Sequence, residues 1–196
     1  MKAAEIRALR PAKEPVDPWR PLGWLREEER AAGGGTEPAL TVFLAGAECP
    51  FTCVFCDLWR RTLNDPTPRR AIPAQLAVAL AAAAAAEPSA PPLHRIKLYN
   101  ASNFFDPRAV PPEDDPAIAA FLAPFPRVTV ECHPRLVGRR CFDFARRLAG
   151  RLEVAMGLET VQPEALPRLG KEMTLAAFDR AAAALVAAGI PIRAFV

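Results

Sequence analysis

The chain has 196 residues, 51% of them hydrophobic and 24% charged, with a net charge of +3. That is the balance of a globular domain long enough to bury one sizeable core. So weak a charge supplies no broad field for nucleic acid or an anionic membrane, and the longest apolar run, residues 76–86, is too short to cross a bilayer. Five cysteines, an odd number with three crowded into one loop, exclude a disulfide framework and point to a reducing cytoplasm.

Residues 1–38 read as a Pro-rich N-terminal extension. Pro11, Pro15, Pro18 and Pro21 break regular elements, Trp19 and Trp24 offer anchors, and Arg26 to Arg30 reads as a helical turn ended by Gly33-Gly34-Gly35. The core reads as 39–196 and begins with an apolar, partly β-branched strand over Leu40 to Leu44, from which the cysteine loop leaves. A helix starts at Ile72-Pro73, with proline tolerated in the first turn, and runs through alanines of high helix propensity to Ala86. Strands follow at Arg95 to Tyr99, Arg127 to Val130, Leu152 to Leu158 and Ile190 to Val196, separated by helices near 114–122, 139–149 and after Thr174, an N-cap residue. Five strand–helix alternations predict a parallel α/β sheet, with periodicity leaving an open doubly wound sheet and a partial barrel both standing.

In such sheets the functional groups collect at the C-terminal ends of the strands. Those ends carry the cysteine loop, then Asn100, Ser102 and Asn103, then Glu131 and His133, then Glu159. The strand at 152–158 alternates, so Glu153, Ala155, Gly157 and Glu159 share a face and the two small residues clear space beneath Glu159, whose carboxylate can accept from two hydroxyls. Lys97 and Arg193 stand mid-strand where a buried parallel strand is normally apolar, so they face a polar lumen as substrate or cofactor contacts or mark edge-like strands. His133 reads either as a contact of that kind or as a turn former before Pro134, and Cys132 and Cys141 read as small buried hydrophobes.

The loop Cys49-Pro50-Phe51-Thr52-Cys53-Val54-Phe55-Cys56 sets three thiols at spacings of four and three. Sulfur is a soft ligand suited to zinc or an iron–sulfur cluster. Zinc closes four ligands, so a zinc-stabilised binding module would need a distant Cys132, Cys141, His94 or His133. A cluster held by three cysteines keeps one iron open.

That spacing, with Phe55 before the last cysteine and a strand before the loop, resembles the signature of the radical SAM superfamily. The resemblance implies a partial (β/α) barrel, a 4Fe–4S cluster on Cys49, Cys53 and Cys56, and S-adenosylmethionine on the open iron. It also implies reductive cleavage to a 5′-deoxyadenosyl radical, driven by an external flavodoxin- or ferredoxin-like electron donor. The cofactor-binding positions it implies are Phe55, Asn100, Ser102, Asn103, Glu131, Glu159 for the ribose and Lys171 for the carboxylate. Six strands are usual in that family, so five imply a chain truncated after the fifth. Gly157-Leu158-Glu159-Thr160, Leu169-Gly170-Lys171 and Gly189 to Phe195 are similar to the branch containing the Elongator catalytic subunit and archaeosine synthase, which act on tRNA. An RNA substrate follows from that likeness, with the Arg60-Arg61, Arg69-Arg70, Arg139-Arg140 and Arg146-Arg147 pairs as phosphate contacts or solvated faces.

Overall fold

Six extended runs build one sheet in the order β1-β2-β3-β4-β5-β6. They are β1 (Gly23–Arg30), β2 (Thr36–Leu44), β3 (Arg95–Asn100), β4 (Arg127–Glu131), β5 (Leu152–Gly157) and β6 (Ile192–Phe195). The structure is a computed structural model and describes residues 3–31 and 33–196, so residues 1, 2 and 32 of the expected extension lie outside the described residues. β2 to β6 are parallel neighbours, and β1 runs antiparallel to β2. The helices are α1 (Ala3–Ala8), α2 (Ala71–Ala86), α3 (Asp115–Leu122), α4 (Arg139–Arg147) and α5 (Leu175–Ala187).

One sheet face is continuous hydrocarbon. Leu40, Val42, Ile96, Leu98, Val130 and Val154 lie in the same buried cluster as Leu76, Ile118, Phe144 and Leu185 of the helices. Each such side chain contributes about 1.5–3 kcal/mol by leaving water. On α2, Ile72, Leu76, Ala79 and Ala83 are buried at helical spacing, which makes the alanine-rich stretch a packing helix. Gln75 adds a polar stitch: its amide accepts from Ala45 N–H and donates to the carbonyls of Ala45 and Pro18. Thr174 caps α5 by accepting from Ala177 N–H at 3.1 Å.

The N-terminal part departs from the sequence reading. Arg26 to Arg30 is not a helical turn but half of β1, and Thr36 to Pro38, placed in the extension, begin β2. The reason lies in strand alternation that only the distant partner completes: Glu27 reaches Thr41 and Lys97, and Glu29 reaches Lys97 and Arg193. The sheet therefore has six strands, and it curls. Glu29 on one edge strand accepts from Arg193 on the opposite edge strand at 2.6 Å. Among the described residues, no helix is long and apolar enough to cross a membrane.

Candidate functional site

The cysteine loop leaves the end of β2 and is fastened by its own backbone. Ala47 N–H donates to the Thr67 hydroxyl at 3.0 Å, Leu63 N–H to the Gly46 carbonyl at 2.9 Å, and Val54 N–H to the Leu169 carbonyl at 2.9 Å. Gly170, at φ 68°, follows Leu169, and a Cβ there would stand 2.8 Å from the Thr52 carbonyl oxygen. The Leu169-Gly170-Lys171 turn thus lies directly against the loop because glycine permits both the backbone twist and the approach. Lys171 then reaches Glu159 at 2.5 Å. A Cβ at Gly157 would come within 2.2 Å of both partners, so the missing side chain at Gly157 is the space that holds this ion pair.

Asn103 ties the loop to the sheet. Its Nδ2 lies 3.4 Å from Cys49 Sγ, and its Oδ1 accepts from His133 N–H at 2.7 Å. His133 is spent on structure: Nδ1 accepts from Arg135 N–H at 3.1 Å, Nε2 sits 3.0 Å from the Lys171 carbonyl, and Phe51 stacks on the ring at 3.9 Å. Burial holds it near 4, as a neutral imidazole. Burial also pushes the Cys49 thiol up to about 11 and raises that of Cys53. It pushes the Glu131 carboxyl up to about 7, against the pull of an Asn100 backbone hydrogen bond and of Lys171.

One cavity gathers Cys49, Cys53 and Cys56 with the sequence-predicted Phe55, Asn100, Ser102, Asn103, Glu131, Glu159 and Lys171, and with His133. Lys97 and Arg193 are not brought there. Lys97 pairs with Glu27 at 2.8 Å and Glu29 at 2.5 Å, and Arg193 pairs with Glu29 at 2.6 Å and Glu153 at 3.0 Å, on the lumen-side face below the strand ends. Sequence reasoning missed Phe51 and Phe195 in the wall, and the N-terminal arm at the loop's root. Glu48 accepts Arg10 at 2.7 Å and Lys13 at 2.8 Å, and Arg7 donates to the Pro50 carbonyl. Alternation along Ile192–Phe195 could have found Phe195, but no local signal announces the arm.

The donor set fits a cluster better than a single ion. Among the described residues, no three His, Cys, Asp or Glu side chains converge as the ligands of one metal ion would, and zinc draws its thiolates to about 2.3 Å. The proposed fourth zinc ligands fail individually. Cys141 is inside the core, Cys132 Sγ donates to the His133 carbonyl, and His94 binds Glu37 at the opposite end of the sheet. A cluster instead takes its thiolates on separate irons, and all three loop cysteines are partly exposed free thiols on one cavity. Beside them, among the described residues, both amide atoms of Asn100 and the Ser102 hydroxyl are buried without a partner. A further ligand of mixed donor and acceptor character would satisfy them.

Solved structures of the cobalamin-dependent S-adenosylmethionine radical enzyme OxsB overlay this chain. The aqua-cobalamin form aligns with TM-score 0.55 and 16% identity over 78% of this chain and 23% of that one. The form with aqua-cobalamin and S-adenosylmethionine gives 0.51 and 15%, over 78% and 23%. The apo, selenomethionine-labelled form gives 0.50 and 16%, over 79% and 23%. The chain shares its fold with the aligned part of that enzyme. At this identity the likeness concerns the fold alone, and the chain spans less than a quarter of those proteins' length. No protein-family model matches the chain, and no curated protein does. These neighbours lend no support to the Elongator and archaeosine branch, nor to the tRNA substrate inferred from it.

Proposed function

We propose that the chain is the core of a radical SAM enzyme, its curled sheet a partial (β/α) barrel with the cofactor site at the strand ends. The observation that carries this is the meeting, in one cavity of a radical SAM fold, of three partly exposed thiols with buried polar groups that have no partner. Cys49, Cys53 and Cys56 would hold a 4Fe–4S cluster, which when bound supplies the electron that cleaves S-adenosylmethionine to a 5′-deoxyadenosyl radical. The protein's own work is placement. Asn103 directs an amide N–H at Cys49 Sγ, which stabilises negative charge on the sulfur. Asn100, through one of its two amide protons, and Ser102 offer hydrogen bonds to the methionyl end, which leaves the other amide proton and the amide oxygen free. Glu159 and Lys171 pair with each other, and would hold the cofactor by its ribose hydroxyls and its carboxylate respectively. Phe55, 54% exposed, covers the outer side. An external one-electron donor of the flavodoxin or ferredoxin kind completes the system.

The test is anaerobic reconstitution with iron and sulfide. The expected product is a brown protein with about four irons and four sulfides per chain, lost in Cys49→Ala, Cys53→Ala and Cys56→Ala and kept in Cys132→Ala and Cys141→Ala. One tightly held zinc without sulfide would overturn the proposal.

A further inference from the structure

Beside the cysteine cavity lies a second one of about 450 Å³, which shares Leu58, Asn100, Ala101 and Glu131 with it as a common wall. Its other surfaces come from four parts of the chain. Phe43 of β2 and Tyr99 of β3 are register partners on adjacent parallel strands and line the cavity together, with the Tyr99 ring meeting Phe195 edge-on at 6.4 Å. Leu22 of the N-terminal arm is fixed beside them by its N–H, which donates to the Phe43 carbonyl at 2.7 Å. Leu58 of the common wall is 56% exposed, and Phe43 is 39% exposed. Large apolar side chains left open around a cavity are the mark of a ligand surface.

The charges at its mouth balance, Arg60 and Arg61 against Glu14 and Asp57. Arg61 pairs with Glu14 at 3.3 Å, and the Arg60 guanidinium lies 5.7 Å from the Trp59 ring centre. With two acids for two arginines, the mouth carries no net charge to draw in a phosphate or carboxylate. The hydrogen-bonding groups sit instead at the common wall. The Asn100 side chain, 7% exposed, has an unpartnered donor and an unpartnered acceptor, and Glu131 adds a carboxyl edge. Burial raises that carboxyl to about 7, so near neutral pH about half of it is protonated and can donate as well as accept.

We propose that this second cavity is the substrate site and that it takes an uncharged planar ring, stacked on Phe43 and Tyr99, with a donor–acceptor edge turned to Asn100 and Glu131. The assignment rests on the radical SAM reading for the word substrate, because the common wall is what brings the ring's edge next to the cofactor cavity. The aromatic shelf selects flatness, the balanced charges at the mouth favour neither ion, and the wall selects a lactam-like or amide-like edge. Glu131 and Phe43 are the specificity-determining side chains.

The experiment is ligand-observed NMR on the full 196-residue chain without cluster. Three bicyclic probes of similar size are used: 2-quinolone, 2-naphthoate and 1-naphthylmethylammonium. The expected result is that 2-quinolone binds about tenfold more tightly than either ion. Phe43→Ala weakens it about three- to tenfold, the range of an aromatic stacking contact. Leu58→Ala, at a more exposed position, weakens it less. Glu131→Leu weakens it about five- to tenfold and Glu131→Gln, which keeps a donor and an acceptor, restores most of the affinity. Equal or tighter binding of either ion overturns the ring's neutrality. Unchanged affinity in both Phe43→Ala and Leu58→Ala, with native circular dichroism, overturns the site. Because the probes need neither cluster nor cofactor, the two proposals fail separately. Cluster assembly without 2-quinolone binding sinks the ring assignment alone, and 2-quinolone binding without cluster assembly leaves a ring site that is no radical SAM substrate site.

Discussion

The lumen-side face of the sheet is polar in two ways, and the contrast separates structure from function. Toward its floor, every charge that the strands carry inward meets an opposite one. Arg95, 2% exposed, donates to Glu37 at 2.7 Å, to Glu153 at 3.0 Å and to Thr129 at 2.9 Å, while Lys97 and Arg193 share Glu27, Glu29 and Glu153. At the strand ends a few residues away, Asn100 and Ser102 bury polar atoms that have no partner among the described residues, and burial raises the Glu131 carboxyl to about 7. Buried charge persists only when paired, so the floor has completed its interactions within the chain. Unpaired polar atoms carry a desolvation cost that something must offset, and the proposed cofactor would do so at the strand ends.

The largest effect tests the floor. Glu153 accepts from Arg95, Arg193 and Thr129. Glu153→Ala leaves Arg95 with Glu37 and Arg193 with Glu29 but removes the carboxylate that joins them, and should cost about 3 kcal/mol in denaturant unfolding. A loss under about 1 kcal/mol would mean that water enters the floor and that the pairs are surface-like.

The next effect is a pH dependence with two opposed parts. The Glu131 carboxyl ionises at about 7 in the fold against an ordinary 4.5. The stability it contributes is complete below 4.5 and is lost as pH rises through about 7. His133 ionises at about 4 against 6.5, so its contribution is complete above 6.5 and is lost as pH falls toward 4. Each amounts to about 2–3 kcal/mol, and between about pH 4.5 and 6.5 they cancel. The carboxylates held below their ordinary range, Glu27, Glu29, Glu37 and Glu48, act at lower pH. Glu131→Gln should therefore unmask stability that rises across the window, and His133→Asn stability that falls. Chemical unfolding at four or five pH values reads both slopes. Parallel curves for parent and variants would show that neither group is held as described.

Glu159 is the exception at the strand ends, because it already has a partner in Lys171. If the pair opens for the cofactor, Glu159→Gln should weaken S-adenosylmethionine binding to reconstituted protein about ten- to a hundredfold, the loss of about 1.5–3 kcal/mol of charge-assisted hydrogen bonding. The cluster itself should remain. Unchanged affinity would make the pair a purely structural clamp on the Gly170 turn.

Much of the strand-end geometry was legible because it rests on local patterns. The cysteine spacing, the alternation that puts Glu159 above Ala155 and Gly157, the N-cap at Thr174 and the α2 alanines all act within one element. What was not legible depends on residues far apart in the chain. Lys97 and Arg193 drew notice as charges in strands, but their partners Glu27 and Glu29 lie in a segment whose prolines and charges read as an extension. Gly157 read as empty space beneath Glu159. That space is filled by Lys171, which arrives there only because Gly170 lets its turn dock on the cysteine loop. The fourth-ligand candidates for zinc failed for the same reason, since their surroundings are set by tertiary packing.

The smallest effect is the sharpest test of the contrast, because its sign matters more than its size. The Ser102 hydroxyl is buried with no partner among the described residues. Removing a hydroxyl that makes no hydrogen bond takes away a desolvation cost and no bond, so Ser102→Ala should stabilise the cluster-free protein by about 0.5–1 kcal/mol. The same variant should bind S-adenosylmethionine about two- to tenfold more weakly once the cluster is assembled, since one hydrogen bond to the ligand is missing. Stability and affinity moving in opposite directions is what a polar group kept for a ligand predicts. A floor residue behaves otherwise, as Thr129→Ala would show: it removes a bonded hydroxyl and should lower stability with no direct effect on affinity. If Ser102→Ala instead destabilises the cluster-free chain, the hydroxyl has a structural partner. Asn100 would then be the sole unpaired group at this wall, and the distinction between the two halves of the face would shrink to that one side chain.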